Sequence, residues 1–132
     1  MNKDYIPYEQ AFELRKIGYD DECTMYYAPG HPEGFYLVDA TPLTNSHWLF
    51  TADDQERRKV MCTAPLYQQA FRWFREEHGW VGGIRKLSSM GNNKIVGEFY
   101  KDDDNSFIMF GETYEECELR ALKYLIELFK NK

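Results

Sequence analysis

Two amphipathic helices with nearly the same core residues constrain this chain most. The segment "APLYQQAFRWFREEHGW", residues 64–80, has apolar residues at helical spacing and closes at Gly79. The earlier segment "IPYEQAFELRKIGY", residues 6–19, repeats its Tyr-x-Gln-Ala-Phe core and also ends in a glycine followed by an aromatic residue. Each of these two helices is predicted to lead into a hairpin, which favours a duplicated α-β-β unit. The alternative is that two helices with similar packing roles converged on similar residues.

Local signals define the ends of three helices. The first is predicted from Pro7 or Tyr8 to Ile17 and the second from Pro65 to His78, because proline suits a first turn and glycine suits the residue after a helix. The third follows "TYEE", residues 113–116, which has the spacing of a capping box with Thr113 as the N-cap.

Strand signals lie between the helices. Runs rich in β-branched and aromatic residues, at 23–27 and 35–38, flank a Pro/Gly cluster and predict a hairpin. "WVGGIRKL", "KIVGEFYK" and "SFIMFGE" predict a three-stranded meander. Residues 40–63 lack periodicity and are interpreted as an ordered loop or an unrecognised element, with a short strand at 47–50 as one option.

These elements predict an α+β fold in a single domain, residues 1–132. A mainly antiparallel sheet of about five strands is covered by three helices, in the order α-β-β-α-β-β-β-α. The core is predicted to be formed by apolar residues of the helices, namely Phe12, Ala70, Phe71, Phe74, Leu122, Leu125 and Ile126.

Charge and composition narrow the function classes. A net charge of −6 and a pI near 5.1 disfavour a nucleic-acid binder that relies on overall phosphate attraction. No apolar run approaches the ~18 residues that a membrane span needs, and we expect no secretory signal from the polar N-terminus. Three widely spaced cysteines suit reduced thiols, so a cytoplasmic location is expected.

Catalytic and metal-binding motifs are weak. Cys62 precedes a predicted helix N-terminus, where a thiolate would be stabilised, but no sequence signature supplies a histidine partner. The cysteines and histidines lack the close pairing of zinc sites, and "DDDN" at 102–105 lacks the glycine and glutamate of a calcium loop. We therefore expect no metal and no cofactor, and a binding protein is favoured over an enzyme.

Two polar segments are candidate binding elements. Gln68, Arg72 and Arg75 lie along the outer edge of the second helix, where Arg72 and Glu76 are also spaced for an i,i+4 ion pair. Solvation of an outer helix face is the alternative explanation for these arginines. The loop carrying Asn45, His47 and Trp48 supplies hydrogen-bonding groups and an aromatic ring on which a base or sugar could stack.

The chain resembles a group of small uncharacterised proteins from phages, prophages and mobile elements of gut Bacteroidetes. The likeness is carried by "APLYQQAFRWFREEHG" with "TYEECELRALKYLIEL", and by "YIPYEQAFELRKIGYDDEC" with "TNSHW"; it is weakest over residues 81–100. It implies a small cytosolic accessory protein and carries over no catalytic residue.

Three functions are ranked from these observations. The leading hypothesis is a non-enzymatic protein that binds a host protein partner. The alternative is a protein that sequesters a nucleotide or small ligand, with candidate residues Arg72, Arg75, Arg85 and Lys86 beside Trp48 or Trp80. A cysteine-dependent enzyme comes third, and a homo-oligomer stays open for each.

Overall fold

A computed structural model describes residues 4–29, 34–46, 59–87 and 94–130. The chain divides into two compact units, Met1–Leu66 and Tyr67–Lys132. The expectation of a single domain over residues 1–132 stays a prediction.

The described residues of the first unit include a nine-residue helix and a three-stranded antiparallel sheet. Its elements are α1 (Tyr8–Lys16), β1 (Cys23–Pro29), β2 (Phe35–Leu43) and β3 (Cys62–Thr63). The strand order is β2-β1-β3, so β1 is central. Fully buried side chains include Ile6, Leu14, Tyr19, Cys23 and Cys62. β3 falls inside residues 40–63, so part of the segment without periodicity is a strand; residues 47–50 lie outside the described residues.

Helix α1 ends in a hydrogen-bonded glycine cap. Gly18 has a φ of 106°, its amide donates to the Arg15 carbonyl (3.2 Å), and the Tyr19 amide donates to the Leu14 carbonyl (2.9 Å). These two bonds form a Schellman motif. The predicted glycine stop is thereby confirmed, and the cap buries the Tyr19 ring in the core.

In the part of the second unit that the structure describes, two helices accompany a second antiparallel sheet. Its elements are α2 (Tyr67–His78), β4 (Val81–Leu87), β5 (Lys94–Asp102), β6 (Asn105–Gly111) and α3 (Tyr114–Lys130). The strand order is β4-β5-β6, with β5 central. The buried faces of the two helices carry Ala70, Trp73, Phe74, Cys117, Ala121, Leu122, Leu125 and Ile126.

Helix α3 begins as its sequence predicts, with one change in the capping box. The Glu116 amide donates to Thr113 Oγ1 (3.1 Å), which confirms Thr113 as the N-cap. The Glu116 carboxylate accepts from the Glu112 amide (3.4 Å) and pairs with Arg120 (2.9 Å). The carboxylate thus stabilises the turn that enters the helix.

The α+β class and the order of the three helices and five longer strands are confirmed. Each unit opens with a helix followed by an antiparallel hairpin, as a duplicated α-β-β unit requires. The third strands differ, because β3 joins the first strand of its hairpin and β6 joins the second. The strands therefore form two sheets with different orders.

Burial also matches at the positions that α1 and α2 share in their Tyr-x-Gln-Ala-Phe cores. Ala11 and Ala70 are both buried, whereas Phe12 and Phe71 are both half-buried. The two phenylalanines were predicted as core residues, but each lies at the border of its apolar stripe. The Phe71 ring contacts the Phe99 ring at a centroid distance of 5.2 Å, and Lys16 Nζ lies over the Phe12 ring, 5.0 Å from its centroid.

We expect Gly82→Ala to lower the free energy of unfolding by at least about 3 kcal/mol. Gly82 has a φ of 153°, and a Cβ there would lie 1.9 Å from the Glu98 carbonyl oxygen of the neighbouring strand. Gly83→Ala is the matched control, because a Cβ at Gly83 meets nothing within 4 Å. Urea unfolding of both variants checks this; equal stabilities would contradict the close strand approach.

Candidate functional site

A groove within the second unit brings the predicted polar edge of α2 together with aromatic rings. Its volume is about 390 Å³, within the range of roughly 300–1,000 Å³ typical of small-molecule sites. The lining residues come from α2, from the residue before β4 and from strands β4 and β5: Gln68, Gln69, Phe71, Arg72, Arg75, Trp80, Gly82 and Phe99. We call this the α2 groove.

Helical geometry explains why the polar residues share the groove. Arg72 and Arg75 are three residues apart on α2, which places their side chains on one face. Gln68 lies one turn before Arg72 on the same face. The opposite face buries Ala70, Trp73 and Phe74, so the polar edge is turned toward the groove.

The floor of the groove is aromatic. Phe99 is buried on β5 and contacts Phe71, and Trp80 is 7% exposed and contacts the Phe107 ring at 5.7 Å. Trp80 follows Gly79, whose φ is 76° and whose amide donates to the Arg75 carbonyl (3.1 Å). This αL cap turns the chain so that Trp80 lines the groove.

Positive charge lies at the rim. Arg75 is 3.8 Å from Glu76, a long contact between exposed groups. The predicted Arg72–Glu76 pair is not formed, and within the described part of the chain Arg72 has no ion pair. None of the described lining residues is acidic, although the chain carries a net charge of −6.

Arg85 and Lys86, named with the nucleotide alternative, lie outside this lining. They are on β4, and Arg85 pairs with Glu98 at 2.7 Å. His47 and Trp48 lie outside the described residues.

Asn45 is in the first unit, where it is 5% exposed. Its Nδ2 donates to the Tyr19 carbonyl (2.8 Å), and its Oδ1 accepts from the Thr63 amide (2.9 Å). The side chain thus joins the end of α1 to β3. Both polar atoms of the Asn45 side chain, which the sequence offers for ligand recognition, are therefore hydrogen-bonded within the first unit.

The three cysteines are buried. Burial raises the pKa of Cys62 to about 12, although the nearby Arg15 guanidinium favours the thiolate. Burial likewise raises the pKa values of Cys23 and Cys117. The stabilised thiolate that helix proximity suggested for Cys62 is not found, because desolvation outweighs the local positive charge.

A second surface was missed by sequence reasoning. Cross-strand partners share a face of a sheet, and the pairs of β5 with β6 put Tyr100, Ile108 and Phe110 on one face. Their exposures are 56%, 59% and 48%. The signal was present in "FIMF", residues 107–110, because an antiparallel strand with one solvated face should alternate apolar and polar residues. We call these three residues the open sheet face.

Comparisons with known proteins add no relative: no family model, curated protein or solved structure matches the chain. Among the described residues, no three His, Cys, Asp or Glu side chains come together as a metal site. In the same residues, no helix is long and apolar enough to cross a membrane.

We expect Asn45→Ala to lower the free energy of unfolding by about 2–4 kcal/mol, since it leaves a buried carbonyl and a buried amide unpaired. Ser46→Ala is the control; its exposed hydroxyl bonds Asp20 (2.8 Å), and its loss should cost about 0.5 kcal/mol or less. Urea unfolding measures both. An Asn45→Ala variant as stable as wild type would contradict the structural role.

The raised pKa of Cys62 should lower the free energy of unfolding at high pH. An unfolded thiol loses its proton near the ordinary pKa of 9.0, whereas folded Cys62 keeps it until about pH 12. Its contribution is complete below pH 9 and is lost as the pH rises from 9 to 12. Between pH 9 and 10, wild type should lose about 1 kcal/mol more than Cys62→Ala in urea unfolding.

Equal pH slopes for the two proteins would contradict this account of Cys62. So would rapid reaction of native Cys62 with a disulfide reagent at pH 7, which would favour the cysteine-dependent enzyme.

Proposed function

We propose that this chain is a small non-enzymatic binding protein that docks a host protein partner on the open sheet face. The single observation that carries the proposal is the exposure of Tyr100, Ile108 and Phe110 on one face of one sheet. Large apolar side chains grouped on a surface mark interaction sites, whereas single exposed ones are ordinary.

The geometry of the patch suits protein docking. Ile108 and Phe110 are two residues apart on β6, and Tyr100 is diagonal to Ile108 because Glu98 is the direct partner of Ile108. The three side chains are therefore contiguous. The Arg85–Glu98 pair beside them supplies polar groups at the border, as the rim of an interface usually does.

Charge next to the patch specifies the partner's chemistry. The turn after Tyr100 carries Asp102, Asp103 and Asp104, all exposed. The hydrogen bond from the Asn105 amide group lowers the pKa of Asp102 below its usual value, and so do the backbone amides of the turn. The turn stays anionic at neutral pH, so the partner should present an apolar patch bordered by lysine or arginine.

The resemblance to phage and mobile-element proteins supports the biological setting of the proposal. In that setting the chain is an accessory protein in the cytoplasm of a gut Bacteroidetes host. The raised thiol pKa values and the buried cysteines weigh against cysteine chemistry.

The test is capture from a lysate of a gut Bacteroidetes species, followed by reconstitution with the identified protein. Wild type should form a stoichiometric complex in size-exclusion chromatography with light scattering. Ile108→Asp and Phe110→Asp should each weaken it by about tenfold or more, because a charge replaces a central apolar contact. Tyr114→Asp is the matched control, since Tyr114 is 47% exposed but lies at the start of α3.

Two outcomes would overturn the proposal. One is a complex whose affinity is unchanged in both sheet-face variants. The other is a homodimer of the chain alone that Phe110→Asp dissociates, because the open sheet face would then bind a second copy. Circular dichroism melting of each variant establishes that the fold is intact.

A further inference from the structure

We infer that the α2 groove is a binding site for a nucleoside phosphate, with the phosphate on Arg72 and Arg75 and the base on the aromatic floor. This inference goes beyond the proposed function, since it uses a different surface and different residues. It rests on the juxtaposition of two guanidinium groups with Phe71, Trp80 and Phe99 in one cavity of about 390 Å³.

The charge of the groove selects an anion. Arg72 and Arg75 project from one helix face, and no carboxylate stands among the lining residues that the structure describes. Two guanidinium groups match the double charge of a phosphate monoester better than the single charge of a carboxylate, and each can form paired hydrogen bonds to phosphate oxygens. The contact with Glu76 leaves the charge of Arg75 partly compensated, whereas Arg72 has no ion pair among the described residues.

The aromatic residues of the α2 groove favour a ligand with a flat ring. Phe71 is half-buried and is the most accessible aromatic residue of the lining, whereas Trp80 and Phe99 expose only 7% and 3% of their surfaces and support it from below. Phe99 is fixed by stacking on Phe107 at 5.3 Å, and Phe71 is held against Phe99. Rings held in place in this way stack a base with little loss of conformational entropy.

Amide side chains complete the lining. Gln68 is exposed beside Arg72, and Gln69 also borders the cavity. An amide both donates and accepts hydrogen bonds, which suits the polar edge of a base or a ribose hydroxyl. Inorganic phosphate would use only the arginines, and a nucleoside would use only the floor and the amides. A nucleoside phosphate uses all three parts.

The experiment is isothermal titration of the whole chain with AMP, GMP, CMP and UMP, each at low ionic strength. Matching titrations use the corresponding nucleosides and inorganic phosphate. At least one monophosphate should bind at least about tenfold more tightly than its nucleoside and than inorganic phosphate. Its affinity should fall as sodium chloride is raised, because exposed charge pairs are screened.

Single substitutions in the α2 groove test whether the monophosphate binds there. Arg72→Gln and Arg75→Gln should each weaken monophosphate binding about tenfold or more. Lys123→Gln is the control, because it removes one positive charge from an exposed position on α3 outside the groove. Phe71→Leu should weaken the binding of the monophosphate but leave the binding of inorganic phosphate unchanged. Thermal melting establishes that each variant is folded.

Three results would overturn the inference: no binding of any monophosphate at millimolar concentration, binding that the Arg72→Gln/Arg75→Gln double variant retains, or inorganic phosphate that binds as tightly as every monophosphate. Each is independent of the partner test, because the residues of the open sheet face are unchanged in these variants.

Discussion

The close contact between α3 and its sheet at Cys117 is the interaction on which the second unit depends. Gly97 and Gly111 lie on the sheet face that meets the helix. A Cβ at Gly97 would lie 3.2 Å from Cys117 Sγ, and a Cβ at Gly111 would lie 3.1 Å from the Cys117 amide nitrogen. The sulfur also lies 3.7 Å from the Met109 carbonyl. Because no side chain stands at the two glycines, the helix reaches the strands and covers one face of the sheet.

That contact has consequences for both candidate surfaces. Once α3 lies on the sheet, its last turn presents Phe129 to Phe74 (5.7 Å) and to His78 (4.2 Å) of α2. These ring contacts fix the rotation of α2, so its polar edge borders the groove. On the opposite face of the sheet, Tyr100, Ile108 and Phe110 keep about half of their surface exposed. One packing contact therefore determines where both surfaces are found.

Local features of the fold were predictable from the sequence. The glycine stops at Gly18 and Gly79 and the N-cap at Thr113 depend on neighbouring residues, and the structure has all three. Helical periodicity also placed Gln68, Arg72 and Arg75 on one edge of α2. Features that depend on long-range pairing were missed. Phe99 enters the groove only because β5 lies beside β4, and sequence spacing does not report that pairing.

Polar and reactive groups were the hardest to predict, because their roles depend on burial. Asn45 carries the hydrogen-bond donor and acceptor of a recognition residue, yet its amide bridges Tyr19 and Thr63 inside the first unit. Cys62 precedes α2, but desolvation raises the pKa of its thiol to about 12. In both cases the side chain's neighbours in space, rather than its neighbours in sequence, determine its chemistry.

We propose that α2 packs with its inner face and contributes its outer edge, with Arg72 and Arg75, to ligand binding. Two-dimensional NMR of the ¹⁵N-labelled chain during titration with a nucleoside monophosphate tests it most directly. Ligand binding in the α2 groove should shift the side-chain Nε–H signals of Arg72 and Arg75 and the indole N–H of Trp80, and should leave Ile108 and Phe110 unchanged. Shifts confined to the open sheet face, or a spectrum that does not change at saturating ligand, would contradict it.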